Sequence, residues 1–114
     1  MDFNAYLKET GELVAKLGVP RLDWSVPKFE IGYWIRTRFA GQGLMTEAVA
    51  GLVAFGFDVL GAQRIEIRCD PRNVKSAAVA VRLSFSLEGV LRNDQRAPDG
   101  TLRDTAVYGR TKDE

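Results

Sequence analysis

The sequence predicts an α+β fold with an α/β-like core, in which a mixed, mostly antiparallel sheet contains one central parallel strand-helix-strand unit. A strand pattern at Phe29–Ile35 precedes a long apolar helical pattern at Leu44–Leu60, and a second strand pattern follows at Arg64–Cys69. A short antiparallel return would not need about seventeen helical residues between the strands. The two strands of this unit should therefore run parallel.

Composition indicates one soluble globular domain at residues 1–114, since 46% of the residues are hydrophobic and 27% are charged. The net charge is +1 and the basic residues are scattered, which favours neither nucleic acid nor an anionic membrane as a partner. A single cysteine excludes an internal disulfide, and without histidine we expect no metal. No signal-peptide pattern opens the chain, so we expect a cytoplasmic protein.

The residues before the central unit predict a hairpin and then a connection. Short strand patterns at Phe3–Leu7 and Glu12–Leu17 surround a turn in which Gly11 should supply a positive φ. The segment Val19–Pro27 contains two prolines, which resist regular pairing in a sheet. We therefore predict a connection there.

The central strand alternates, and the helix that follows is apolar on more than one side. The alternation separates two sets of residues, Phe29, Ile31, Tyr33 and Ile35 on one face and Glu30, Gly32 and Trp34 on the other. The helix contains only two charged residues, Glu47 and Asp58, so more than one side of it should be covered. Gly61 is the predicted C-terminal stop.

The rest of the chain predicts a second helix and a second hairpin. A turn at residues 70–73 leads into a helix at Val74–Leu83. Strand patterns at Ser86–Arg92 and Leu102–Arg110 flank a turn at residues 98–100, where proline fixes φ and glycine accepts the left-handed conformation.

The junction between the central strand and its helix, at Gly41 and Gly43, is a candidate anion site. The first backbone N–H groups of a helix lack intrahelical partners and carry partial positive charge, and glycine lets a phosphate approach closely. A dinucleotide fingerprint would need a third glycine at Thr46, and a P-loop would need a Gly-Lys-Ser/Thr ending that is absent. From these residues alone, a turn that only starts the helix stays an equal alternative.

Four blocks of sequence, in order, closely resemble the GNAT superfamily of acetyl-CoA-dependent N-acetyltransferases. They are Glu30–Ile35, Gly41–Ala48, Asp70–Ser76 and Leu83–Gly89. The likeness runs from about Tyr6 to the carboxyl terminus and is to the ribosomal-protein-alanine N-acetyltransferase-like branch, of the RimJ and RimL type. It implies a GNAT-like acyl-CoA N-acyltransferase fold with acetyl-CoA as co-substrate. A complete member begins with a strand and two helices before the first strand found here, so the resemblance implies an N-terminally shortened domain.

The resemblance also implies which backbone groups hold the pyrophosphate of acetyl-CoA. The residues are those of the loop and helix start, Gly41, Gln42, Gly43, Leu44, Met45 and Thr46. Backbone donation of this kind depends little on side chains. The family pattern places Gln or Arg where this chain has Ala40, a departure that should weaken cofactor binding.

Two further pairs of residues match family positions. Trp34 and Ile35 match strand residues whose backbone groups pair with the pantetheine arm and polarise the thioester carbonyl, and a core aromatic is the alternative for Trp34. Asn73 matches a residue that contacts the cofactor. Ser76, three residues later, should donate a proton or a hydrogen bond to the departing thiolate, and local helix capping is the alternative for both residues.

Glu30 is the candidate general base, because the chain has no histidine and Glu30 shares a strand face with Trp34. A solvated strand carboxylate is the alternative. Many family members use as acid a tyrosine seven residues after the asparagine, where this chain has Ala80, so catalysis would depend on Ser76 or on water. A weak base suits an α-amine with a pKa of about 8 better than a lysine with a pKa of about 10.4. The expected acceptor is therefore a protein or peptide amino terminus, or a small amine of low pKa.

Two functions stay open. The first is transfer of an acetyl group from acetyl-CoA to a primary amine by direct attack on the thioester. The second is a catalytically weak or inactive acyl-CoA-binding and self-associating remnant of a GNAT domain, which is favoured by Ala40, by Ala80 and by Ser84 in place of a helix-ending glycine. We expect a homodimer, because the apolar helix and the first strand would otherwise lack cover.

Overall fold

A computed structural model describes residues 2–35 and 43–113, and within them six strands form one mixed sheet of order β1-β2-β3-β4-β6-β5. The elements are β1 (Asp2–Tyr6), β2 (Leu13–Asp23), β3 (Lys28–Ile35), α1 (Leu44–Asp58), β4 (Arg64–Cys69), α2 (Val74–Arg82), β5 (Ser86–Arg96) and β6 (Leu102–Thr111). Among the described strands only β3 and β4 pair in parallel. The predicted α+β fold with a central parallel unit is confirmed.

The first hairpin is confirmed, whereas the connection predicted at Val19–Pro27 is wrong for residues 19–23 and is confirmed only as a turn at residues 24–27. Gly11 has a φ of 73° in the turn between β1 and β2. β2 continues through Pro20 to Asp23, and its register with β3 shifts by one residue between Gly18 and Arg21. The pairing of β1 with β2 also ends at Gly18. A proline fits in this strand because it lies at a bulge, beyond the last pair that the described residues of β1 form with β2.

Both helices lie on the face of the sheet that carries the buried residues of β3 and β4. A Cβ atom built at Gly56 of α1 would lie 2.9 Å from Cδ1 of Ile65 and 3.7 Å from Cδ2 of Phe29, so α1 packs directly on these strands. The core residues of this layer are Phe29, Ile31, Ile65 and Ile67 from the strands and Met45, Val49, Val53 and Phe57 from α1. Each fully buried side chain of this size contributes about 1.5–3 kcal/mol to folding.

The second, outward side of α1 is only partly covered within the described residues. The Phe55 ring contacts the Phe3 ring of β1 edge to face, with the ring centroids 6.4 Å apart. Val59, just past the end of the helix, is 68% exposed. The broad apolar surface predicted from the sequence therefore exists, and part of it faces solvent. None of the helices in residues 2–35 and 43–113 is long and apolar enough to cross a membrane.

The other predicted helices, strands and turns are confirmed, with small changes at the ends of the elements. α2 ends one residue earlier than predicted, β5 extends to Arg96, and the glycines of two turns have positive φ, Gly61 at 72° and Gly100 at 90°. Glycine adopts this conformation without steric penalty, which explains where α1 stops and where the last hairpin turns.

We expect Ser84→Gly to raise the free energy of unfolding by about 0.5–1 kcal/mol. Ser84 has a φ of 68°, and Phe85 N–H donates to the Ala80 carbonyl at 3.0 Å, the pattern of a Schellman C-cap that usually holds glycine. Urea unfolding should detect the gain. Ser84→Ala is the matched control, because it removes the hydroxyl but keeps the Cβ atom. An equal gain from both variants would contradict backbone strain as the cause.

Candidate functional site

The two central strands pair over a short distance and then separate. Their parallel register runs from Lys28 opposite Arg64 to Ile31 opposite Ile67, whereas β3 continues to Ile35 and β4 to Cys69. The last four residues of β3 keep their pairing with β2 on the other side. Backbone groups of this segment that point toward β4 therefore have no partner on β4, and a cleft opens at the carboxyl ends of the parallel strands.

The amino end of α1 follows this cleft in the chain. Gly43 is the N-cap, with a φ of 76° and a ψ of −2°, and its carbonyl accepts from Glu47 N–H at 3.1 Å. The N–H groups of Leu44, Met45 and Thr46 precede that first intrahelical bond, so they have no partner within the helix. The Met45 side chain is buried in the core, so only its backbone can serve such a site.

The residues just before Gly43 belong to the same predicted site. Ala40, Gly41 and Gln42 lie outside the described residues. The binding role of Gly41 and Gln42 therefore stays a prediction.

The amino end of α2 is attached to the separated segment of β3. Asn73 caps α2, since its Oδ1 accepts from Ser76 N–H at 3.1 Å, and the Tyr33 hydroxyl donates to the Ser76 carbonyl at 3.0 Å. Burial, with a smaller contribution from the nearby Cys69, raises the pKa of the Tyr33 phenol well above its ordinary value. Tyr33 is therefore a neutral donor that holds the first turn of α2 beside the cleft.

Sequence reasoning had assigned no role to Tyr33. The available signal was a tyrosine on a buried strand face, whose hydroxyl needs a partner. The helix-capping bond that was the alternative for Asn73 is present in the structure. Contact of Asn73 with pantetheine stays a prediction.

Trp34 and Cys69 lie on opposite faces of the sheet. Trp34 is 53% exposed, so the core-aromatic alternative is wrong for its side chain. Ile35 ends β3, and its side chain lies outside the described residues. Cys69 is partly buried against the core, and burial raises the pKa of its thiol, which disfavours the nucleophilic thiolate form.

An ion-pair ladder crosses the face of the sheet opposite the two helices. Within the described residues its side chains alternate in sign and are Arg21, Glu30, Arg68, Glu66, Arg64 and Glu88. The nitrogen–oxygen distances along the ladder are 3.5, 3.1, 3.2, 2.9 and 2.8 Å. Glu30 therefore lies between two guanidinium groups with only 14% of its side chain exposed, and the solvated-carboxylate alternative is wrong.

The ladder keeps the Glu66 carboxylate ionised although only 10% of that side chain is exposed. Burial alone would raise the pKa of Glu66, but hydrogen bonds from Arg64 and Arg68 outweigh burial and leave that pKa below its ordinary value. Sequence reasoning missed the arginine partners. Their signal is the alternating run Arg64–Cys69, which places residues 64, 66 and 68 on one strand face.

The turn between β4 and α2 carries a separate exposed pair. The Arg72 guanidinium and backbone N–H both donate to Asp70, which lowers the pKa of that carboxyl to about 2. Asp70 is therefore a permanently ionised part of the turn at neutral pH rather than a candidate base.

These groups suit a long, flexible and anionic ligand. Strand groups without a partner on β4 can bind an extended arm in the manner of an added strand, and N–H groups that lack a partner within α1 can bind phosphate. Within residues 2–35 and 43–113, no group of three or more acidic or cysteine side chains is arranged to hold a metal ion. The donors present are thus those that a coenzyme A thioester would use.

Residues 1–86 match the family model described as the acetyltransferase (GNAT) domain. The chain belongs to the GNAT acetyltransferase family. Over 112 residues it is 35% identical to an uncharacterized N-acetyltransferase, p20, of Bacillus licheniformis, covering 98% of this chain and 62% of that protein. It is 30% identical to the ribosomal-protein-serine acetyltransferase of Escherichia coli, covering 90% of this chain and 56% of that enzyme.

A solved structure is similar to this GNAT domain over most of its length. It is the ribosomal L7/L12 α-N-protein acetyltransferase RimL in complex with coenzyme A, with a TM-score of 0.84 and 28% identity, covering 90% of this chain and 58% of that one. The chain therefore spans less than two thirds of each of these three proteins. The fold and family predicted from the sequence, including the ribosomal-protein acetyltransferase branch, are confirmed.

Proposed function

We propose that this GNAT domain transfers an acetyl group from acetyl-CoA to a primary amine, and that the amine is a protein or peptide amino terminus. The observation that carries the proposal is the separation of β3 from β4 beyond Ile31 and Ile67, with the amino end of α2 attached to β3 there and α1 following in the chain. The names of two relatives support it, since one acts on ribosomal-protein serine and the other on an α-amino group. A cytoplasmic location is part of the same proposal.

Acetyl-CoA, which donates the acetyl group, would be held mainly by backbone groups of the protein. The pyrophosphate would lie on the N–H groups from Gly41 to Thr46, and the pantetheine arm would run along the unpaired edge of β3 at Trp34 and Ile35. Asn73, whose Oδ1 caps α2, still has its amide nitrogen as a donor for the arm. Because backbone groups would bind the cofactor, acetyl-CoA could still bind although Ala40 replaces the Gln or Arg of the family pattern.

In the reaction, the amine nitrogen attacks the thioester carbonyl, a C–N bond forms and the C–S bond breaks. A backbone N–H at Trp34 or Ile35 would stabilise the developing oxyanion, and losing such a donor typically costs about 2.7–4 kcal/mol of barrier. The Ser76 hydroxyl would donate to the departing thiolate. Glu30 would accept the proton from the amine, directly or through one water, since it lies two residues before the cleft opens at Gly32.

Two measurements test the proposal on the whole chain. Acetyl-CoA is titrated by calorimetry, and thiol release is then followed with a panel of peptides that have free amino termini, with N-acetylated copies as controls. Thiol release that requires the free amino terminus supports the proposal. Absence of both binding and release would reject it.

The second function, a weak or inactive acyl-CoA-binding domain that associates with itself, has one structural observation in its favour. Ala80, at the position where many relatives have a tyrosine acid, is fully buried and carries no group that could donate a proton. Binding of acetyl-CoA without thiol release would favour this function over acetyl transfer.

We expect the chain to be a homodimer in solution. The exposed part of the α1 surface, around Phe55 and Val59, and the short edge strand β1 would gain cover from a second copy. Light scattering at high micromolar concentration should give twice the mass of the chain. A well-folded monomer at that concentration would contradict the prediction.

A further inference from the structure

We propose that the amino group of the acceptor docks by displacing the Arg68 guanidinium from between Glu30 and Glu66, so that Arg68 determines which amines are accepted. This inference rests on the proposed function and assigns a role to a residue that neither the motifs nor the family resemblance singles out. Arg68 would act through the two carboxylates, as a positioning residue.

The position of Arg68 in the sheet is the first support. It is the residue of β4 that follows the last parallel pair, Ile31 with Ile67, so its backbone lies at the mouth of the cleft. Strand alternation directs its side chain to the face opposite the helices. An acceptor that reaches a thioester in the cleft from this face passes Arg68 first.

The contacts of Arg68 are the second support. Its Nε–H donates to Oε1 of Glu66 at 3.2 Å, and the same Nε lies at ion-pair distance, 3.1 Å, from Oε1 of Glu30. One cation therefore pairs with two carboxylates. A primary ammonium has three donors on one compact nitrogen and can bond to both carboxylates at once. The exchange replaces one cation by another, which avoids leaving a largely buried charge unpaired.

The rest of the ion-pair ladder makes this exchange feasible. Glu30 also lies 3.5 Å from Arg21, and Glu66 accepts from Arg64 at 2.9 Å. Each carboxylate therefore keeps one guanidinium partner when Arg68 moves away.

A cavity of about 300 Å³ adjoins these three side chains on the same face. It is lined by Glu30, Glu66 and Arg68 together with the last three residues of β2 and the first two of β3. This volume is at the lower end of the range for small-molecule sites, enough for the first residue or two of a peptide. The cavity also offers space for the displaced guanidinium.

Peptide binding in the presence of saturating coenzyme A tests the proposal without requiring turnover. The probes are a tetrapeptide with a free amino terminus and the same peptide N-acetylated, both titrated by calorimetry into the whole chain. The free peptide should bind at least tenfold more tightly than the acetylated one. Equal binding of the two, or no binding of either, would overturn the docking site.

The variants separate positioning from simple structural support. Arg68→Gln should tighten binding of the free peptide three- to tenfold, because the competing cation is gone, whereas Arg68→Lys should stay close to the parent. Glu30→Gln and Glu66→Gln should each weaken binding at least tenfold. Arg82→Gln is the control, since it makes the same charge change in the last turn of α2 and should have no effect.

Weaker or unchanged binding by a folded Arg68→Gln would overturn the role of Arg68. If Arg68→Gln does not fold, the proposal is tested by the two carboxylate variants and by the comparison of the free and acetylated peptides. Undiminished binding of the free peptide by the carboxylate variants would overturn it. Failure of the proposed acetyl transfer can be distinguished from failure of this docking site. In the first case thiol release is absent while selective binding of the free peptide persists.

Discussion

Gly43→Glu is expected to abolish acetyl-CoA binding, with a loss of affinity of at least a hundredfold. Two physical effects add. Gly43 adopts a φ of 76°, which a residue with a Cβ atom tolerates poorly, and the new carboxylate lies at the amino end of α1, where the pyrophosphate is expected. Among the described residues, a Cβ atom at Gly43 meets nothing within 4 Å, so local strain and charge would cause the loss. Calorimetric titration with acetyl-CoA measures this loss of affinity.

A neutral variant of the same size separates the two effects. Gly43→Gln imposes the same backbone strain without the charge, so it should retain more affinity than Gly43→Glu. Circular dichroism should show native secondary structure for both variants. Undiminished affinity of Gly43→Glu would reject the phosphate site at α1.

Ser76→Ala is expected to lower kcat by about 10- to 100-fold while the acetyl-CoA dissociation constant changes much less. A hydrogen bond to a charged group such as the departing thiolate contributes about 1.5–3 kcal/mol, which corresponds to that range of rates. The substitution is a clean test, because the bonds of Ser76 to Asn73 and Tyr33 use its backbone and survive in alanine. Stopped-flow thiol release and calorimetry provide the two constants.

Ser86→Ala is the matched control, since it removes a hydroxyl from the exposed start of β5. It should leave both constants unchanged. If Ser76→Ala turns over at the parent rate on every accepted amine, then Ser76 serves only the start of α2.

Local sequence patterns predicted most of the secondary structure. Alternation identified β3 and β4, and the seventeen-residue helical pattern between them predicted their parallel pairing, because that connection length is characteristic of a crossover. Turn glycines were equally informative, since φ is a local property, and Gly11, Gly61 and Gly100 all have the positive φ expected of turns or helix ends. The one clear error, at Pro20, arose because a bulge depends on the neighbouring strands and leaves little trace in the strand that contains it.

The sequence by itself determined the family, the element order and the positions of the backbone groups proposed to bind acetyl-CoA, because these depend on residues close together in the chain. Only the tertiary structure decided where β3 and β4 separate, since strand register is a relation between distant segments. It also decided that Tyr33 anchors Ser76, 43 residues away, and that Arg68 lies between Glu30 and Glu66. The partners of a long side chain depend on the spacing and register between strands, and the periodicity along one strand does not reveal these.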